Sequence, residues 1–313
     1  MPVSRRTFAA SSAVAAASTF LPAVASSAEP ETKAVQPFRY CLNTSTIRGQ
    51  TEDIVRQIEI ASSAGYDAIE PWIRHIDQYV QGGGRLADLK KRIDDAGLTV
   101  ESAIGFAKWI VDDKSVRNAG LETAKRDMNT LVEIGGKRIA APPIGAHRNS
   151  DKLDLFVIAE RYAELLKIGD ETGVVPQLEV WGFSDNLSRL GESVMVCVES
   201  GHPQACLLPD VYHIFRGGSS FTGLNLLAAD AIHVFHINDY PATPSREKMK
   251  DADRIYPGDG VAPLTDILKM VSHPSRTLVL SLELFNKDYW KQDVDQVAKT
   301  GLKKLQAAVA AMS

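Results

Sequence analysis

From residue 38 onward the chain alternates two kinds of hydrophobic spacing. Short β-rich runs recur as "FRYCLNTS" (38–45), "YDAIEPW" (66–72), "LTVESAIGF" (98–106), "KRIAAPP" (137–143), "VVPQLEVW" (174–181), "ACLLPDVYH" (205–213), "AIHVFHIND" (231–239) and "TLVLSLELF" (277–285). Between them apolar residues fall at helical spacing: Ile54, Ile58 and Ala61 in 51–64; Leu121, Ala124, Met128 and Leu131 in 115–134; Val294, Ala298, Leu302, Leu305 and Val309 in 293–309. Glycines in "SAGYDA", "DAGLTV", "EIGGKR" and "ETGVVP" mark helix ends, where a left-handed residue turns the chain into the next strand. Eight strand–helix units in residues 38–313 predict a single-domain (β/α)8 barrel, which needs about 250 residues. A doubly wound open sheet is the alternative, but it favours a glycine-rich phosphate loop after an early strand, and "QGGGR" (81–85) does not have that spacing.

Active sites of such barrels lie at the C-terminal ends of the strands. In "LVLSLELF" (278–285), strand alternation puts Leu280, Leu282 and Leu284 on one face and Val279, Ser281, Glu283 and Phe285 on the other. A buried ionised Glu283 is costly unless it is paired or binds a metal. Strands five to eight each end in a metal-capable side chain: Glu179, Asp210, His236 and Glu283. Glu179 shares its face with Gln177 and Trp181, and His236 with Val234 and Asn238, so all four are expected to point inward at one height. The inward faces of these strands carry no Lys or Arg, and carboxylates that close do not all stay ionised without a cation. The set therefore predicts a divalent metal site. Three carboxylates and an imidazole form a hard donor set suited to Mn2+, with Mg2+ and Co2+ as alternatives. Open positions on that metal would accept a substrate with adjacent oxygens.

Composition narrows the field. With 44% hydrophobic and 24% charged residues the chain reads as an ordinary soluble protein, and its net charge of −4 gives no global basic field for nucleic acid. Cys41, Cys197 and Cys206 are far apart and odd in number, so they are expected to be small buried residues and not a disulfide framework. At the start, Arg5 and Arg6 precede an Ala-rich stretch and the cleavage-like Ala23-Val24-Ala25, which resembles a twin-arginine export signal. The expected organisation is an export signal over 1–28, a linker over 29–37 and the barrel over 38–313, in a protein exported to the periplasm. No other segment approaches the roughly 20 apolar residues of a membrane helix.

The ordered set Glu179, Asp210, His236 and Glu283, the Asp210-x-x-His213 spacing and "HIND…DRIYPGDG" (236–260) resemble the xylose isomerase-like barrel superfamily of sugar isomerases and epimerases. The segment "DDKSVRNAGLETAKRDMNTLVEIGGKRI" is similar to that family's third helix and its exit into strand four. The resemblance covers residues 38–313. It implies a divalent metal, commonly manganese, that chelates two oxygens of a sugar or cyclitol ketone. It also implies that Glu179 and Glu283 act as base and acid on opposite faces of the substrate, that His213 and Arg254 contact substrate oxygens, and that the protein forms a homodimer. The chain departs from the ketose epimerases after Glu179, where "VWGFSDN" replaces their Pro-Leu-Asn-like run.

The expected function is proton transfer on a keto-sugar through an enediolate, giving isomerisation or epimerisation. A lyase or dehydratase acting on a keto-sugar, keto-glycoside or keto-inositol would begin the same way, and a non-catalytic sugar-binding protein is a further alternative. A hydrolytic role, prompted by the fold's resemblance to a multi-zinc DNA-repair endonuclease, would need more histidines at strand ends and a basic groove. Glu70, in "AIEPW", is expected to reach the substrate or to back a ligand. Trp72 and Trp181 are expected to form sugar-facing walls, together with Phe106, Trp109, Tyr212 and Phe285. The glycine-rich "FRGGSSF" (215–221) is a candidate for closure over a ligand.

Overall fold

The computed structural model describes residues 37–312; the expected export signal and nearly all of the expected linker lie outside the described residues. Eight strands follow in order: β1 (Phe38–Asn43), β2 (Ala68–Glu70), β3 (Thr99–Val100), β4 (Arg138–Ala141), β5 (Val175–Glu179), β6 (Leu207–Leu208), β7 (Val234–Ile237) and β8 (Leu278–Leu282). They pair in parallel in two ladders, β3-β2-β1-β8-β7 and β4-β5-β6. Both seams are joined. Past β3, the Ala103 carbonyl accepts from the Ala140 amide (2.9 Å) while the Ala103 amide donates to the Arg138 carbonyl (3.1 Å). Single parallel bridges, Leu207 to Ile232 and Asp210 to His236, link β6 to β7. The sheet thus closes into the expected barrel.

Helices α1 (Ile54–Ala64), α2 (Ile73–Gln81), α3 (Leu86–Asp95), α4 (Lys114–Glu133), α5 (Leu155–Thr172), α6 (Leu190–Glu199), α7 (Val211–Arg216), α8 (Leu264–Val271) and α9 (Val294–Ala310) form the outer layer. Aspartates cap several of them: Asp53, Asp113, Asp154 and Asp293 each accept from a first-turn amide. The helix-ending glycines behave as their positions predict, with Gly65 and Gly173 at φ of 94° and 82°. One run differs from expectation. In "ACLLPDVYH" the strand stops at Leu208, because the Asp210 carboxylate accepts from the His213 amide at 2.8 Å and starts α7. His213 therefore sits on a helix instead of at a strand end.

Strand alternation separates two apolar layers. Leu278, Leu280, Leu282 and Leu284 of the β8 segment, with Leu178 and Val180 from β5, pack among the helices. The lumen is filled by smaller residues, among them Cys41, Ala68, Ala140, Val234 and Val279. Near the strand starts, Arg39 and Lys137 both pair with Glu101 at 2.9 Å. The three cysteines are free, Cys41 and Cys206 buried and Cys197 partly so. Among the described residues no helix is long and apolar enough to cross a membrane.

Leu280 is fully buried between sheet and helices. Leu280→Ala is expected to cost about 2–5 kcal/mol of unfolding free energy in a urea titration. A loss near zero would show that this face does not hold the layers together.

Candidate active site

At the C-terminal end of the barrel, Asp210, His236 and Glu283 each offer one potential ligand atom, all within 4.8 Å of one another. All three are buried. The His236 ring is held from behind. Its Nε2 meets Glu70 Oε2 at 3.0 Å, and that oxygen also accepts from Ser281 Oγ (2.6 Å) and Asn43 Nδ2 (3.0 Å). With the Nε2 proton engaged by Glu70, the tautomer leaves Nδ1 free to ligate. Nδ1 lies 3.3 Å from Glu283 Oε2 and 4.0 Å from Asp210 Oδ2, yet makes no aligned hydrogen bond. An orphaned imidazole nitrogen facing two carboxylates fits a divalent cation. It equally fits a proton, and the neighbouring carboxylates Glu283 and Glu70 overcome burial to hold the His236 pKa well above its ordinary value.

The expectation that no cation neutralises these carboxylates needs correction. The strand faces supply none, but Arg254 enters from the loop after β7. Its Nη1 donates to Glu283 Oε2 (2.7 Å) and Asp210 Oδ2 (3.0 Å), and its Nη2 to Asp251 Oδ1 (2.8 Å). The guanidinium is buried and lies over the rings of Tyr212 and Phe285, 4.7 and 4.9 Å from their centroids. Burial alone would raise the Glu283 carboxyl, but His236 and Arg254 hold it well below the usual carboxylate range. Burial pushes Asp210 up to about 6 against the attraction of Arg254.

What brings Arg254 in is Asp239, a residue that carried no role in the sequence reading. Its backbone pairs with Ile255 in both directions (3.0 and 2.9 Å). Its carboxylate accepts from the amides of Tyr240, Gly258, Gly260 and Ala262 at 2.8 to 3.0 Å. Gly260 is required at this point, since a Cβ there would collide with the Asp239 carboxylate and the Tyr240 carbonyl. "IYPGDG" is thus wrapped around one buried acid, and Arg254 is presented from its edge.

Glu179 stands outside the ligand cluster but faces the same cavity, of about 150 Å3, with Glu283, His213 and Arg254. Burial pushes its carboxyl up to about 8, outweighing the attraction of His236. In the neighbouring loop Gly182 lets the backbone approach α7, where a side chain would meet the His213 carbonyl. His213 Nδ1 meets the Gly182 amide at 3.2 Å and its Nε2 meets Arg254 Nη2 at 2.9 Å. A neutral ring accepts at only one of them, and the shorter, charge-assisted contact makes Nε2 the acceptor of the Arg254 proton. Burial and then the Arg254 charge hold the His213 pKa well below its usual value, which keeps the ring neutral.

The remaining expected residues divide. Trp72, Phe106, Trp181 and Phe285 line the cavity as expected, joined by Phe183 and Asp251, which the sequence reading missed. Trp109 does not; it is buried against Tyr162 and donates to the Pro142 carbonyl. Tyr212 is buried behind Arg254 and His213. Of the two parts expected for Glu70, reaching the substrate or backing a ligand, its position fits the second and not the first: it is fully buried behind His236 and orients that ring. In "FRGGSSF" Gly217 serves packing, since a side chain there would strike the Ser188 carbonyl, and Gly218 turns the chain with a φ of 78°.

Asp239→Asn replaces one acceptor oxygen by a donor facing backbone amides, which is expected to lower stability by about 1–3 kcal/mol. A melting temperature equal to that of the parent protein would rule out the role given to Asp239.

A family model for the xylose isomerase-like TIM barrel matches residues 58–308. The inosose isomerase of Bacillus velezensis is 26% identical over 279 residues, covering 87% of this chain and 97% of that protein. The 3-dehydro-D-guloside 4-epimerase of Escherichia coli K12 is 25% identical over 178 residues, covering 52% of this chain and 65% of that one. Among solved structures, the IolI protein with a bound zinc atom superposes with a TM-score of 0.79 at 22% identity, covering 88% of this chain and 99% of that chain. With the family match running through almost the whole barrel, the chain belongs to the xylose isomerase-like TIM barrel family.

Proposed function

We propose that the protein is a divalent-metal-dependent isomerase or epimerase that moves a proton at a carbon next to the carbonyl of a keto-sugar or keto-cyclitol. The observation that carries this reading is the pair of carboxyls on one small cavity, Glu283 held ionised and Glu179 held protonated around neutral pH. Two carboxyls driven apart in this way provide one proton acceptor and one donor. The similarity to an inosose isomerase and a sugar epimerase supports the same chemistry.

The chain's own groups take the following parts. Glu283 and Glu179 exchange protons with the substrate carbon, and the direction of reaction decides which begins as base. His213 and Arg254, which both line the cavity, contact substrate oxygens from one side. Glu70 fixes the His236 ring. A divalent cation held by Asp210, His236 and Glu283 would stabilise negative charge on the substrate oxygen as a Lewis acid. The donor set favours Mn2+, with Mg2+ or Co2+ as alternatives, and the zinc of the IolI protein is a further divalent choice.

Incubation of Mn2+-loaded protein with keto-inositol and ketohexoses in deuterated water is expected to place label on a substrate carbon without loss of mass. Loss of water or of an aglycone would instead establish a lyase, and no exchange with any keto-sugar would overturn the proposal. Glu179→Gln should cut exchange by about 10²–10⁴-fold while elemental analysis still finds metal; full retained exchange would remove Glu179 from the mechanism.

Metal must displace protons from His236 and Asp210, whose metal-free pKa values lie above their ordinary ones. Protons compete at low pH, so apparent Mn2+ affinity should rise from pH 6 to pH 8 with measurable proton release. Glu70→Gln should weaken binding by about 10–100-fold. A pH-independent affinity would contradict this assignment of ligands.

A further inference from the structure

Of the guanidinium groups around the cavity, one is held in place without being neutralised. Arg74 pairs with Glu52, and Arg254 with Asp210, Glu283 and Asp251. Arg148 is exposed to water over Phe183. Arg48 is partly buried, yet among the described residues its side chain has no hydrogen-bond acceptor and no carboxylate within ion-pair distance. Aromatic rings hold it instead. Its guanidinium carbon lies 4.5 Å from the ring centroid of Trp72, 5.0 Å from that of Phe285 and 5.3 Å from that of Trp290. This cage is built on the turn that follows β1. Trp72 Nε1 donates to Ser45 Oγ (2.7 Å), and Trp290 Nε1 to the Ser45 and Thr46 carbonyls (3.3 and 3.2 Å). Gly49 is required beside it, since a Cβ there would collide with the Trp290 ring.

A partly buried charge is costly to leave unpaired. Burial, and next the charge of Arg74, hold the Arg48 pKa below its ordinary value, and the attraction of Glu283, Glu52 and Asp251 does not make up the difference. Glu283 and Asp251 already pair with Arg254, and Glu52 with Arg74. The place is that of a ligand contact. Trp72 and Phe285 line the cavity beside the acids. The Phe285 centroid has Arg48 at 5.0 Å and Arg254 at 4.9 Å, so a single ring separates the ion cluster from Arg48, a span that a six-carbon substrate covers. A guanidinium lying over rings keeps its in-plane N–H donors clear of them, and that fork matches a carboxylate or a phosphate. A hydroxyl would accept from it too, but would leave the charge unmatched.

We propose that the substrate carries an anionic oxygen group, a carboxylate or a phosphate, at the end remote from its carbonyl, and that Arg48 selects for it. This inference rests on the proton-transfer reading above and adds to it the charge of the substrate. Arg48 is then a specificity-determining residue. Trp290, which is not among the residues that line the cavity, acts by positioning it. Carboxylate and phosphate share the same chemistry of recognition, two oxygens facing the guanidinium fork.

The test compares deuterium exchange by the Mn2+-loaded protein into three ketohexoses that differ at carbon six: fructose, fructuronate and fructose 6-phosphate. An anionic substrate is expected to show kcat/KM about 10- to 100-fold above that of fructose, chiefly through KM. Arg48→Met, which keeps the stem and removes the charge, should bring that ratio close to one, and Arg48→Lys should restore part of it. The better of the two anions identifies the group as carboxylate or phosphate. Equal kcat/KM for all three, a preference that survives in Arg48→Met, or a variant that lowers all three by one factor would overturn selection by Arg48 while leaving the isomerase reading intact. If no keto-sugar exchanges, the proton-transfer reading itself fails. Calorimetry then decides Arg48 alone: tighter binding of fructuronate or fructose 6-phosphate than of fructose, abolished by Arg48→Met, sustains its role, and binding that ignores the charge rejects it.

Discussion

Besides the Asp239 acid in its clasp, four carboxyl groups, those of Glu70, Glu179, Asp210 and Glu283, are buried at one end of this barrel, and the rest of the site is arranged around that cost. Each is accommodated differently. Glu70 is satisfied by Ser281, Asn43 and His236. Asp210 accepts from the His213 amide, Asn238 and Arg254. Glu283 takes the shorter contact with the same guanidinium. Glu179 has no basic partner within ion-pair distance among the described residues, and burial pushes its carboxyl up to about 8. Removing Arg254 would leave two acids uncompensated at once, which is why a loop residue is anchored as firmly as the strands.

The mouth is correspondingly divided. Strands β5 to β8 and the short helix α7 carry the ionisable groups, while the segments after β2, β3, β5 and β8 supply aromatic rings. The two kinds of residue meet at the exits of β5 and β8. In β5 and its exit, Glu179 and Trp181 share the inward face two residues apart, joining proton chemistry to an apolar surface without an intervening loop.

Much of this could be read from sequence because it rests on period. Alternation gives the face of Glu283, Glu179 and His236, and the left-handed glycines punctuate the helix ends. Height along the barrel is another matter. It depends on the stagger between strands, set by pairings such as β1 with β8 that join residues some 240 positions apart. Alternation therefore could not show that Glu179 stands off from the ligand cluster, or that Glu70 lies behind His236. Arg254 was expected over the pocket but not inside the ion cluster, because its path is fixed by amide bonds to Asp239 from residues 19 to 23 positions later. Phe183 was missed for a simpler reason: it lies beyond the strand run, where no periodicity marks a facing.

The Asp239 clasp also separates two fates for the loop it closes. Residues 241–248 swing outward and are mostly exposed, whereas Met249 is again buried and Arg254 returns to the point of departure. Because the chain is stapled where it leaves and rejoins the barrel, the exposed residues 241–248 lie apart from the contacts that seat the guanidinium at its root. New contacts at the rim can thus be tried while the acids below stay tuned.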